Sequence, residues 1–246
     1  NGTSQAIVTG ISSVDFTVAS NGSGYWLDRT VNQVKNDAGV VQASGSCVVN
    51  TSKVHIKGRS IASWHHTVDG LRGVTKRVVT NATGAESVDA GGLLNFISNG
   101  VTFGASTDLN GNGSTYIAYQ TLYTHIKWGL TSQGKFQIEA YNPVTEEGMI
   151  YYIGSGVSLH QISHSMGVEI DYSEIKALEA ALDWQIYLNN PIGRMHYNTN
   201  GLTVDDYVGT STENYMQTSP LVGTGSNTLD SEYIMYYKCK SETFTI

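Results

Sequence analysis

The strongest constraint on the fold of this chain is that it repeats itself once. Phe16 lies 48 positions before Trp64, and Phe136 lies 48 before Trp184, so a single offset of 120 carries both landmarks onto their counterparts. With short deletions the correspondence continues through Gly73 and Gly193. It then takes Phe103-Gly104 onto Val222-Gly223 and ends with Ser-Thr-Tyr-Ile-Ala-Tyr (114–119) on Ser-Glu-Tyr-Ile-Met-Tyr (231–236). A unit of this length far exceeds the roughly 20–50 residues of solenoid repeats and matches an independently folding domain. The expectation is two tandem, related domains, residues 1–128 and 129–246. Positions shared between the copies are aromatic, aliphatic or Gly, whereas charged residues, His and Asn have diverged. That pattern suits a fold preserved without a catalytic centre, although a duplicated enzyme that lost its site from one copy would leave the same trace.

Composition points to β-structure. The chain has 27 Gly, 15 Tyr and only 3 Pro, with 14% charged residues, a mixture that suits short strands and tight turns rather than long solvated helices. Alternating, β-branched or aromatic runs recur in the first copy. They cover Ala6–Thr9, Val14–Val18, Gly39–Ala43, Cys47–Val49, Val54–Lys57, Trp64–Val68, Arg77–Thr80, Gly100–Phe103 and Thr115–Tyr119. The second copy offers Phe136–Ala140, Gly148–Ile153, Ser158–Ile162, Gly167–Ile170, Trp184–Leu188, Met195–Tyr197 and Tyr233–Tyr237. Many short strands at turn-punctuated intervals predict all-β, jelly-roll-like sandwiches.

One stretch conflicts with this. Ser173–Asp183 is rich in helix formers, with Ile175, Leu178 and Leu182 at amphipathic spacing, yet it aligns with the strand-like Lys53–Ser63. Sheet pairing is a tertiary demand and helix propensity a weak one, so the expectation is a strand through about Lys176, then a loop. Between the copies, Leu122–Gln133 reads as a short semi-rigid linker, with Tyr123 and Trp128 available to bury.

The net charge is −7, which argues against nucleic acid, because binding there requires a basic stripe that displaces counterions from phosphates. Residues 1–128 carry nine Lys and Arg against seven acids, and residues 129–246 five against fourteen. Halves of opposite sign suit head-to-tail contacts between copies, although two solvated surfaces that diverged would look the same. No run approaches the 18 or more apolar residues of a membrane helix. Cys47 and Cys239 occupy non-corresponding positions, so a disulfide framework common to both copies is excluded and each reads as a small buried or half-buried thiol.

Several motifs bear on chemistry. Asp108-Leu-Asn-Gly-Asn-Gly113 opens like a calcium loop but has Tyr119 where the bidentate Glu belongs. His65-His66 are adjacent, so on a strand they face opposite sides. His160 and His164 are four apart, and neither His pair recurs in the other copy. Gly154-Ser-Gly156 lacks a phosphate-loop Lys, and the acid pairs Glu146-Glu147 and Asp205-Asp206 sit in polar turns. No nucleophile elbow, zinc-protease motif or cofactor fingerprint is present, so the expectation is no enzyme and no cofactor. The segment Lys53–Arg77 carries Lys53, Lys57, Arg59, Arg72, Lys76 and Arg77 with only Asp69 opposing them, a candidate interaction patch for an acidic glycan, a lipopolysaccharide phosphate or the acidic face of a neighbouring copy. The competing reading is a set of solvated strand edges.

The runs His55-Ile-Lys-Gly-Arg59, Trp64-His-His66, Gly70-Leu-Arg-Gly-Val-Thr-Lys76, Phe96-Ile-Ser-Asn-Gly-Val-Thr-Phe-Gly104 and Asn110–Tyr119 resemble a duplicated β-rich domain of unknown function found in structural, tail-fibre-like proteins of tailed bacteriophages. The second copy resembles that family's companion repeat at Gly154-Ser-Gly156, His164-Ser-Met-Gly167, Asp183-Trp184 and Tyr233-Ile-Met-Tyr236. Gly58 departs from the family's usual Asn. The resemblance implies a non-enzymatic virion protein of the tail-fibre, head-fibre or decoration type, on the particle surface. It implies a homo-oligomer, a trimer if it is a fibre, in contact with other virion proteins and engaged in host attachment. A lectin-like receptor-binding module for host-surface glycan is the alternative, and a polysaccharide depolymerase the third reading.

Overall fold

The computed structural model describes residues 13–17, 24–36, 38–97, 100–188, 193–196, 202–203, 208–212, 214–218 and 226–239. In chain order the strands are β1 (Ser13–Thr17), β2 (Gly24–Asp28), β3 (Gln33–Asn36), β4 (Val41–Gln42), β5 (Gly45–Gly58), β6 (His65–Asp69), β7 (Lys76–Val79), β8 (Ser87–Val88), β9 (Leu93–Ile97) and β10 (Gly100–Phe103). The short helix α1 (Thr107–Asn110) leads into β11 (Tyr116–Leu130), β12 (Phe136–Asn142), β13 (Glu147–Ile153), β14 (His160–Ser163), β15 (Ile170–Ala177) and β16 (Gln185–Leu188). The last strands are β17 (Gly193–His196), β18 (Leu202–Thr203), β19 (Val208–Ser211), β20 (Tyr215–Thr218) and β21 (Glu232–Cys239). The all-β expectation holds. The Ala6–Thr9 run lies outside the described residues.

Twelve of these strands form one antiparallel sheet in the order β18-β17-β16-β15-β21-β13-β12-β11-β5-β6-β7-β8. It is continuous through the middle of the chain. The long β11 pairs with β5 along one edge and with β12 along the other, so residues 128 and 129 lie within a strand. The expected linker is therefore sheet. Its Tyr123, Ile126 and Trp128 are buried, and a bulge between Tyr123 and His125 shifts the alternation by one residue to keep all three on the same side.

The sheet curls until its β7–β8 end meets β15 and the start of β16. Trp184 Nε1 donates to the Val79 carbonyl at 2.9 Å, the Glu86 amide donates to the Leu178 carbonyl at 2.8 Å, and Lys176 Nζ donates to the Thr83 carbonyl at 2.8 Å. The concave face encloses a core of Trp184, Tyr123, Trp128, Tyr151, Ile234 and their neighbours, capped by Leu27 and Val34 from the four-stranded sheet β1-β2-β3-β4. The convex face is covered twice. Over the later strands, the small sheet β14-β20-β19 packs Ile162 and Met216 on Tyr233, Met235 and Tyr237. Over β5 and β6, the β9–β10 hairpin and α1 place Leu93 and Leu109 on Val54, Ile56 and Val68. Burial on both faces explains why Tyr233–Tyr237 reads as an unbroken apolar run instead of alternating.

The helix-rich Ser173–Asp183 stretch is strand up to Ala177, because Glu174, Ile175 and Lys176 pair with Tyr236, Met235 and Ile234 of β21. It leaves the sheet one residue later than expected. Gly154, at the start of a Gly-Ser-Gly turn, has a packing reason for being Gly. A Cβ there would lie 2.0 Å from the Thr228 carbonyl oxygen, and the amides of Gly154 and Gly156 donate to the Ser231 and Asn227 carbonyls.

Candidate functional site

On the concave face, antiparallel register lines up side chains in rows. Ile117 of β11 stands opposite Lys57 of β5, which stands opposite His65 of β6. The next row is Tyr119, His55, Thr67, and the third is Thr121, Lys53, Asp69. Deeper along β11 the same face carries buried Tyr123, whereas Tyr119 is 62% exposed. The concave face therefore passes from packed core to an open polar mouth within two residue pairs. The opposite wall comes from β15 and β21, where Glu174 faces Tyr236 in register. Between the walls lies a cavity of about 280 Å³ lined by Lys53, His55, Thr67, Thr80, Tyr119, Thr121, Glu174 and Tyr236.

Beneath this mouth runs a buried ionic network. Asp69 and Arg72 are both fully buried, with Arg72 Nε donating to Asp69 Oδ2 at 2.6 Å. Asp69 Oδ1 accepts from the Leu71 and Arg72 amides, and Arg72 Nη2 donates to the Thr67 carbonyl at 3.1 Å and the Tyr236 hydroxyl at 2.9 Å. The Tyr236 hydroxyl in turn donates to Asp69 Oδ2 at 2.6 Å. Glu86 extends the network to Arg72, Lys76 and Arg29, and Arg29 also pairs with Glu232 of β21. Every ion here has an opposite charge and further hydrogen bonds, the condition under which buried charge is tolerated. Burial pulls the Arg72 pKa down, but the adjacent Asp69 carboxylate outweighs it and the guanidinium stays charged.

This arrangement decides how the wall residues present themselves. Asp69 stands opposite Lys53 on the ladder yet is spent on Arg72. Lys53 Nζ sits 4.7 Å above the Tyr236 ring, with no carboxylate within ion-pairing distance among the described residues. Glu174 accepts from the Tyr172 hydroxyl at 2.6 Å and has no cation partner among the described residues. Burial, with His65 and Lys53 nearby, lowers the His55 pKa to about 4, and burial lowers that of His65, so both rings are neutral at pH 7. His55 Nδ1 and Thr67 Oγ1 are joined by a hydrogen bond of 3.0 Å.

The six cations of the expected patch do not make one surface. Lys53 and Lys57 are on the concave face, with Lys57 Nζ donating to the Ser63 carbonyl. Arg59 is exposed beyond the end of β5. Arg72 and Lys76 belong to the buried network, and Arg77 pairs with Asp89 and Asp108. In β6, Thr67 and Asp69 point inward while His66 and Val68 point to the convex side, so the sequence run was split between faces by its own alternation. The Asp108–Asn112 turn is held the same way, its Asp108 carboxylate bonded to Arg77 Nη1 at 3.1 Å.

His65 and His66 do face opposite sides. His65 packs edge-on against His55, and His66 is 1% exposed with neither ring nitrogen hydrogen-bonded among the described residues. His160 Nδ1 is 2.8 Å from Asn227 Oδ1, and His164 Nε2 is 3.0 Å from the Thr212 carbonyl, each holding a loop. Cys47 is half-buried and Cys239 buried, both free thiols, with burial pushing their pKa values up to about 11 and about 12.

Sequence reasoning named Lys53 of the cavity wall and missed its other members. A usable signal was there. Tyr119 and Tyr236 are the last residues of the two matching Tyr-Ile-x-Tyr runs, and both line the cavity, one opposite His55 and the other opposite Glu174.

No curated protein and no solved structure matches the chain. Residues 29–245, nearly all of the described fold and both walls of the cavity, match the family described as Domain of unknown function (DUF7483), and the chain belongs to that family.

Proposed function

We propose that this chain is a non-enzymatic structural component of a tailed-phage particle, of the tail-fibre, head-fibre or decoration type, acting through its surfaces in assembly and host attachment. The observation that carries the reading is where its buried ionisable groups go. Asp69, Arg72, Glu86, Arg29, Glu232 and Tyr236 are consumed in joining the β6–β8 end of the sheet to β21 across the curl, which is how a load-bearing scaffold uses charge. The sequence resemblance to tail-fibre-like proteins supplies the particle.

The same reading includes descent from two copies of one sandwich-like unit. Counting outward from the centre, the strands run β11-β5-β6-β7-β8 in one direction and β21-β15-β16-β17-β18 in the other. The paired tyrosines at the cavity support it too. Trp64 and Trp184 weigh against a close likeness, since each precedes the corresponding strand but the first is 54% exposed and the second fully buried. A lectin-like role is the second reading, favoured by the polar, open cavity with Tyr119 at its rim.

The test is to purify phage particles by density gradient from a lysate of the source phage, identify their proteins by mass spectrometry, and label them with gold-conjugated antibody to this chain. The reading expects the chain in stoichiometric amount on the outer surface. Its confinement to the soluble lysate, free of particles, would refute the proposal.

A further inference from the structure

We propose that the mouth of the curled sheet, between Tyr119 and His55 on one wall and Glu174 and Tyr236 on the other, is a binding site for a neutral pyranose unit of a surface glycan. This rests on the attachment part of the reading above and names its ligand class. The cavity, about 280 Å³, falls just below the roughly 300–1,000 Å³ of pockets for drug-sized ligands, which leaves room for one sugar ring rather than a chain. It is lined by hydroxyls, an ammonium, an imidazole and a carboxylate, and its aromatic surfaces are tyrosines.

Three features select a sugar. Tyr119 stands 62% exposed on a strand anchored by buried Tyr123, two positions further along the same face, so its ring is offered to solvent by a rigid element. An apolar ring face of that kind is what the C–H face of a pyranose stacks on, while its hydroxyls meet polar groups at the edge. Lys53 and Glu174 supply a donor and an acceptor in one cavity without pairing to each other, and each has capacity left after its recorded contacts. Thr67, Thr80 and Thr121 add hydroxyls that donate or accept as a diol requires.

The sugar should be uncharged. Glu174 would face the carboxylate of a uronic acid, and like-charge contact in a recessed site disfavours it. A phosphate is disfavoured for the same reason, since only Lys53 among the lining residues carries a positive charge at neutral pH.

The test uses the full chain and a panel of D-glucose, D-galactose, D-mannose, N-acetylglucosamine and D-glucuronate, with binding read by saturation-transfer NMR and titration. Binding of at least one neutral sugar is expected, weakened tenfold or more by Tyr119→Ala and by Glu174→Gln and retained within threefold by Tyr119→Phe. Circular dichroism and thermal melting check that the variants are folded; Tyr119, being exposed, tolerates truncation. Absence of neutral-sugar binding, binding indifferent to both disruptive variants, or preference for glucuronate would each overturn the site. If the chain is found on particles but binds no sugar, this inference falls and the structural role stands. Sugar binding by a chain that never reaches particles does the reverse.

Discussion

Replacing Tyr236 with Phe removes one oxygen from the network that joins the β6–β8 end of the sheet to β21. The ring, its stacking on Trp184 at 6.3 Å and its place under Lys53 remain. What is lost is a hydroxyl that donates to Asp69 Oδ2 at 2.6 Å and accepts from Arg72 Nη2 at 2.9 Å, at a site only 3% exposed. Hydrogen bonds to charged groups contribute about 1.5–3 kcal/mol each, but they do not add here. Asp69 Oδ2 keeps Arg72 Nε, and Arg72 Nη2 keeps the Thr67 carbonyl, so neither ion is stripped bare. The loss should be about 2–3 kcal/mol, below the roughly 3–5 kcal/mol of breaking a buried ion pair outright. With a urea slope of about 2–3 kcal/mol/M for a chain of this size, the midpoint falls by roughly 1 M. Equilibrium urea unfolding of the wild type, Tyr236→Phe and Tyr119→Phe measures this, the exposed Tyr119 serving as a control expected within about 0.5 kcal/mol of wild type. A Tyr236→Phe protein as stable as the control would refute the reasoning, because the Tyr236 hydroxyl would then add nothing to closing the curl.

Further outcomes follow from other buried groups. His66→Leu should raise stability by about 1 kcal/mol, because it replaces a ring whose two nitrogens are buried without partners; a loss of that size in urea unfolding would contradict it. Burial lowers the pKa of both His55 and His66 to about 4, so the fold keeps them neutral while the unfolded chain takes up protons below about pH 6.5. Stability is thus complete above about pH 6.5 and is lost as the pH falls toward 4, which thermal melting at stepped pH would show, with a shallower fall in His66→Leu. A melting temperature flat across that window would disprove the assignment. Gly154→Ala should cost more than about 2 kcal/mol or prevent folding, since the added methyl meets the Thr228 carbonyl, whereas Gly84→Ala has open space and should be neutral.

How much of this was legible in the sequence depended on whether a cue was local. Strands Val54–Lys57, Trp64–Val68, Gly148–Ile153 and Tyr233–Tyr237 were readable because their apolar and β-branched residues sit next to one another. Strands β2, β3 and β9 were not found. Gly24–Asp28 and Gln33–Asn36 carry one fully buried residue each among those described, Leu27 and Val34, too few to form a pattern. The linker reading of Leu122–Gln133 failed because the bulge after Tyr123 breaks the period of two where Ile126 and Trp128 resume it. The cationic run Lys53–Arg77 was visible as charge, but its partners lie outside it: the β7–β8 pairing brings in Glu86 and Asp89, α1 brings Asp108, and the curl of the sheet brings Tyr236. The cavity was illegible for the same reason: Tyr119 and Glu174 come from different halves.

Whether those halves form one cooperative unit can be measured directly by native-state amide hydrogen exchange in wild type and Arg72→Met. Met leaves Asp69 buried and unpaired, in a network whose members come from β2–β3, β6–β8 and β21. If β6–β8 and β21 are clamped together across the curl, the most protected amides of β5 and β6 and those of β15 and β21 lose the same amount of protection, about 3–5 kcal/mol. Loss restricted to β5 and β6, with β15 and β21 exchanging as in wild type, would contradict the claim that the network closes a single curled sheet.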